Sequence, residues 1–165
     1  MIHNSIKIIG IDPGTATLGW GVVEKNGSKV KPINYGCVRT VSTLAMPDRL
    51  FNIFCNLCDI IEKERPDCAA VEELFFFKNQ KTIISVAEAR GVAIIACKSL
   101  KIPVFEYTPL QVKQALTGYG RADKNQIQQM VKFVCKLKEC PKPDDAADAL
   151  AVAICHSQTN SKFKL

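Results

Sequence analysis

Ile6-Lys7-Ile8-Ile9-Gly10-Ile11-Asp12-Pro13-Gly14 leaves the chain little choice of local structure. Ile6, Ile8, Ile9 and Ile11 form a β-branched run long enough for a strand and too short for a helix. Asp12 closes the run, and Pro13-Gly14 forces a turn. A second β-rich run, Trp20 to Val23, follows at once, so the two read as an antiparallel hairpin. Asp12 is then an acid at the carboxyl end of a buried strand, where open α/β sheets carry their sites. An isolated Asp-Pro-Gly can equally be a turn whose aspartate bonds its own backbone. Other carboxylates must reach the same edge to decide between the two.

Val30 to Thr40 reads as a third strand. Pro47 opens a helix, and Leu50, Phe51, Phe54, Leu57, Cys58 and Ile61 give it one apolar face to about Glu64. Arg65-Pro66-Asp67 stops it. Cys68-Ala69-Ala70-Val71-Glu72 is a short buried strand, and its entry through a helix is the pattern of a crossover onto a parallel neighbour. Beside the first strand, it would bring Glu72 and Asp12 to one sheet edge. A helix follows from about Gln80 to Leu100, where Ala87, Ala89, Gly91, Ala93 and Ala96 permit close packing. Pro103 to Glu106 is a fifth strand. Thr108 with Gln111, and Asp123 with Gln126, form two capping boxes that start helices on either side of the basic loop Gly118 to Arg121. A last helix spans Asp144 to about Ser157. The expectation is a single α/β domain over residues 1–157, with a five-stranded mixed sheet flanked by helices, and a flexible basic tail at 158–165.

Composition narrows the setting. Hydrophobic residues make up 47% of the chain and charged ones 23%, as in an ordinary soluble globular protein. The apolar runs are far shorter than a membrane span, and the first of them leads into the Asp12 turn rather than a cleavage site. A cytoplasmic protein with no membrane partner is expected. The net charge of +6 suits a polyanion without requiring one. Of the eight cysteines, Cys68, Cys97, Cys135 and Cys155 lie in apolar segments as small hydrophobes. Cys55 and Cys58 have zinc-like spacing but no matching second pair, and they fall within a helical pattern. Reduced, mostly buried thiols are expected.

Asp145 and Asp148 share one helix face. An acidic first turn complements the helix dipole, which accounts for Asp144 and Asp145 but poorly for Asp148, a turn further in among small apolar residues. Convergence of these acids with Asp12 and Glu72 would be costly. Two like charges ~4 Å apart repel by about 4 kcal/mol at an effective dielectric near 20. Some must be protonated, or divalent cations must sit between them. Oxygen-only ligation selects Mg²⁺ or Mn²⁺ over zinc, and two such ions can activate water and stabilise the leaving oxygen in phosphodiester cleavage. A metal-dependent nuclease is the implied chemistry.

These segments, together with Val71-Glu72-Glu73-Leu74-Phe75, Ala89-Arg90-Gly91-Val92-Ala93, Val104-Phe105-Glu106-Tyr107 and Gln111-Val112-Lys113-Gln114, resemble in order the RuvC family of Holliday junction resolvases. The resemblance implies a ribonuclease H-like fold, a homodimer, paired symmetric nicks across four-way junction DNA, and cooperation with a branch-migration motor. It places the catalytic and metal-binding acids at Asp12, Glu72, Asp145 and Asp148, with Glu73 and Asp144 as extra acids beside them. Mg²⁺ is the implied cofactor, and Mn²⁺ the substitute. DNA contacts fall on Phe75, Lys113 and Lys124, with Arg121 an added phosphate contact. The residues give these roles sense of their own. Phe75, just beyond Glu72, could stack on an unpaired base, and both lysines follow capped helix starts suited to phosphate. A two-fold dimer matches a substrate that needs two cuts. An actin-like phosphotransferase, a non-catalytic DNA-binding protein and an RNA-directed relative remain as alternatives at this stage.

Overall fold

The computed structural model describes residues 5–74 and 80–159. Five strands form one sheet: β1 (Ile6–Asp12), β2 (Thr17–Asn26), β3 (Lys29–Arg39), β4 (Cys68–Glu72) and β5 (Val104–Tyr107). Their order is β3-β2-β1-β4-β5. β1, β2 and β3 pair antiparallel, whereas β4 runs parallel to both β1 and β5, so the sheet is mixed. The expected hairpin and the expected parallel neighbour are both present, with β1 at the centre.

Each face of the sheet carries its own core. Along β1 and β4, Ile8, Cys68 and Ala70 face one side, and Ile9, Ile11, Ala69 and Val71 face the other. The first side is covered by α3 (Pro109–Thr117), α4 (Lys124–Val134) and α5 (Asp144–Gln158). The second is covered by α1 (Met46–Glu64) and α2 (Gln80–Ser99), which pack on each other. α5 is buried nearly all round from Ala149 to Cys155, as an alanine-rich helix pressed on a sheet must be. Both capping boxes close as expected, Thr108 with Gln111 and Asp123 with Gln126.

The structure corrects the sequence reading in three places. β2 runs well past Trp20–Val23 because it is paired along its length by β1 and β3, which hold its polar end in the ladder. On α1 the buried stripe is Ile53, Leu57 and Ile61, while Phe51 is 67% exposed. On α2 only Ala89, Ala93 and Ala96 of the small residues face the sheet, and Ala87 and Gly91 lie at the surface. All eight cysteines are free thiols; Cys68, Cys97, Cys135 and Cys155 are buried.

Candidate active site

Strand alternation decides where the two strand acids point. Ile8 and Gly10 face α5, so Asp12, two residues on, faces α5 as well. On β4, Cys68 and Ala70 face α5, and Glu72 continues that set. The parallel register pairs Ile11 with Val71, which makes Asp12 and Glu72 neighbours on the next rung. Two acids sixty residues apart in the chain thus arrive side by side.

The helix that brings the other acids comes unusually close. A β-carbon at Gly10 would overlap the carbonyl oxygen of Ala149 and stand 2.9 Å from the Ala153 β-carbon. One at Gly19, opposite Asp12 on β2, would overlap the carbonyl of Asp145. Only glycine permits this approach of helix backbone to strand backbone. The contact sets the first two turns of α5, with Asp145 and Asp148, against the carboxyl end of β1.

Charge interactions link these acids. Burial, followed by the charges of Glu72, Asp148 and Asp145, pushes the Asp12 carboxyl up to about 8. Burial and Asp148 push Glu72 up to about 7, against a lowering influence of Lys113. Asp148 is raised by burial, with Lys124 opposing. The charges of Glu72, Asp145 and Asp148 thus reach Asp12 from two further elements, and that of Asp148 reaches Glu72. Asp144 is exposed at the rim of this set: its carboxylate pairs with Lys124 at 3.4 Å, and its charge adds to the rise at Asp148.

The basic residues do not all stand where a phosphate path alone would put them. Lys124 Nζ lies 3.2 Å from an Asp148 oxygen, so this ammonium sits against the acids. Lys113, half-buried on α3, is close enough to act on Glu72. Arg121 is exposed on the loop before α4. Phe75 lies outside the described residues.

Among the described residues no three His, Cys, Asp or Glu side chains already close around a common point as a metal cage. The donor chemistry nonetheless fits a hard divalent cation. The converging donors are carboxyl oxygens, and in their charged forms they would bury more negative charge than the lysines beside them offset. Lys124, held between Asp144 and Asp148, supplies part of the missing positive charge.

Two neighbours of the site carry no single-residue signal in the sequence. Cys37 on β3 has its thiol pushed up to about 11, first by burial and then by Asp145. Arg90 on α2 donates from Nε to the main-chain carbonyl of Glu72 at 3.2 Å, and its Nη2 pairs with the Glu106 carboxylate on β5. The segments around Arg90 and Glu106 stood out only as parts of a family pattern. Nothing in them says that the two side chains meet, or that they meet at Glu72.

Comparison with known proteins matches residues 8–156 to the family model described as Crossover junction endodeoxyribonuclease RuvC. The protein of that name from Desulforamulus reducens is 58% identical over 156 residues, covering 94% of this chain and 96% of the relative. Its counterpart in Caldicellulosiruptor saccharolyticus is 55% identical, covering 94% and 95%. Among solved structures, Thermus thermophilus RuvC in complex with Holliday junction substrate superposes with a TM-score of 0.87 at 37% identity, covering 92% of this chain and 93% of that one.

Proposed function

The chain belongs to the RuvC family of crossover junction endodeoxyribonucleases, and from that premise we propose how its residues divide the work. It is a divalent-metal-dependent endonuclease that resolves four-way DNA junctions in recombination and repair by paired symmetric nicks. In our reading Asp12, Glu72, Asp145 and Asp148 are the metal ligands, for Mg²⁺ in the cell and Mn²⁺ as substitute. When bound, the ions supply an activated water and positive charge at the leaving oxygen. The neighbouring acids favour a proton on Asp12, and a divalent cation held by these oxygens would displace that proton to the solvent. Lys113 and Lys124 face the same pocket and offset the charge of the phosphate that enters it, while Arg121 holds a flanking phosphate. Phe75, three residues beyond Glu72, stacks on a base unpaired at the crossover.

One observation carries this reading: Asp12 and Glu72 end adjacent strands on the face where α5 presents Asp148, with their carboxyls raised to about 8 and 7. Asp12→Asn, Glu72→Gln, Asp145→Asn and Asp148→Asn are each expected to abolish nicking of a synthetic four-way junction while leaving junction binding intact. Unfolded variants that have lost binding together with cleavage would make the acids structural instead. Phe75→Ala is expected to slow cutting far more than it weakens binding.

The working unit in this reading is a homodimer. A groove between α1 and α2 is lined by Leu50, Phe51, Phe54, Val92 and Ile95, on the face of the sheet away from α5. Phe51 and Ile95 are 67% and 61% exposed there, an apolar patch that a second copy would cover. Residues 1–157 form the nuclease unit, and a branch-migration motor is its partner on the junction. No helix among the described residues is long and apolar enough to cross a membrane. The free thiols suit the reducing cytoplasm in which we place the protein.

A further inference from the structure

Glu72 is the last residue of β4, and the two strand acids differ in how their backbones are held beyond the final rung. Asp12 is followed by the Pro13-Gly14 turn and is paired with Gly19 on β2. After Glu72 the chain leaves the sheet, with one further tie, from the Glu73 amide to the Tyr107 carbonyl at 2.8 Å. A strand end frays unless its polar groups are held. At this end the carbonyl of Glu72 accepts from Arg90 Nε at 3.2 Å.

Arg90 cannot swing freely, because the other end of its guanidinium is tied to Glu106 on the neighbouring strand. It also stands on α2 next to Ala89, which is fully buried against the sheet. The planar fork therefore joins three elements, with α2 as the base, β5 as the anchor and the end of β4 as the load. An ammonium could make either contact but lacks the rigid fork that makes both at once. The backbone fixed by this fork is the one from which the Glu72 carboxylate departs toward Asp12.

We propose that Arg90 is a positioning residue for the metal centre, holding the carbonyl of Glu72 so that its carboxylate stays turned toward Asp12 and α5. The assignment rests on the reading of Glu72 as a metal ligand. Groups that orient metal ligands from behind carry a large share of a site's affinity, and their loss weakens metal binding by about tenfold or more. Arg90 touches neither metal nor DNA in this scheme. Its removal shows in the metal requirement and not in junction recognition.

The test is a Mn²⁺ titration of the full chain without DNA, read from the electron paramagnetic resonance signal of the free ion. It is paired with Mg²⁺-dependence curves for nicking and with junction binding in EDTA. Arg90→Gln and Arg90→Lys are expected to bind Mn²⁺ about tenfold more weakly and to need correspondingly more Mg²⁺, with junction affinity unchanged. Glu106→Gln keeps the bond to the Glu72 carbonyl and is expected to show the smaller loss. Folded Arg90 variants that bind Mn²⁺ like the parent would overturn the assignment, as would equal losses in Arg90→Lys and Glu106→Gln. If Arg90→Gln does not fold, the comparison of Arg90→Lys with Glu106→Gln decides. Glu72→Gln is titrated alongside. Full Mn²⁺ affinity in that variant would remove Glu72 from the ligand set, whereas loss there with none in the Arg90 variants overturns the Arg90 role alone.

Discussion

In the proposed site, a proton and a divalent cation compete for the same oxygens at Asp12. Its carboxyl is raised from an ordinary 3.8 to about 8, chiefly by burial and then by its acidic neighbours. Between those values the folded protein holds a proton that the unfolded chain has released. Stability from this group is complete below about pH 4 and is lost as the pH rises through 8. In EDTA, the melting temperature is therefore expected to fall between pH 5 and 8.5. Asp12→Asn removes the buried charge, and a relief of about 1 kcal/mol would raise the melting temperature at pH 8 by about 2–4 °C. A wild-type melting curve independent of pH would contradict this. The same competition sets the metal dependence of cutting. Glu72 is raised to about 7, so half-saturating Mg²⁺ is expected to rise steeply as the pH is lowered from 8 to 6. Steady-state nicking at several Mg²⁺ concentrations measures it.

At the scale of elements, the site depends on how α5 lies on β1 and β2. Gly10→Ala places a methyl group into the α5 backbone, with the Ala153 nitrogen 2.7 Å away. Overpacking of this kind costs about 1–3 kcal/mol, toward the upper end where the obstacle is main chain. Chemical denaturation is expected to show that loss, and Gly91→Ala, whose β-carbon meets open space, is expected to show none. Much of this layer was legible in the sequence. The isoleucine run ending at Asp12 and the five-residue strand ending at Glu72 were set by β-branched or apolar runs with clear stops, and both capping boxes by their spacing. Asp148 was legible as an acid on the wrong side of an apolar helix. The apolar face read from the sequence includes Phe51 and omits Ile53 because periodicity gives the direction of a stripe, and neighbouring residues on its border look alike from sequence. Arg90 was invisible in its role for a different reason: its partner at Glu72 is a main-chain carbonyl, which every residue has.

For the whole molecule, the proposed dimer requires two surfaces on opposite faces of the sheet to act together. The acids open beside α5, while exposed Phe51 and Ile95 lie over α1 and α2. Phe51→Asp with Ile95→Asp is expected to shift the protein from dimer to monomer in sedimentation. The melting temperature should fall only by what subunit association contributes, since neither side chain is part of the subunit's own core. Such a monomer would nick junctions singly, without the coordinated second cut; a double variant that still sediments as a dimer would place the subunit contact elsewhere. The glycine seat of α5 has a last consequence, for the choice of ion. Where helix and strand touch through their main chains, the backbones that carry the strand acids and those of α5 stand at a set distance. Calcium prefers oxygens at about 2.3–2.6 Å and magnesium at about 2.0–2.1 Å. A rigid gap sized for the smaller ion would admit the larger one only with its oxygens out of line, leaving a protein that grips the crossover and does not sever it.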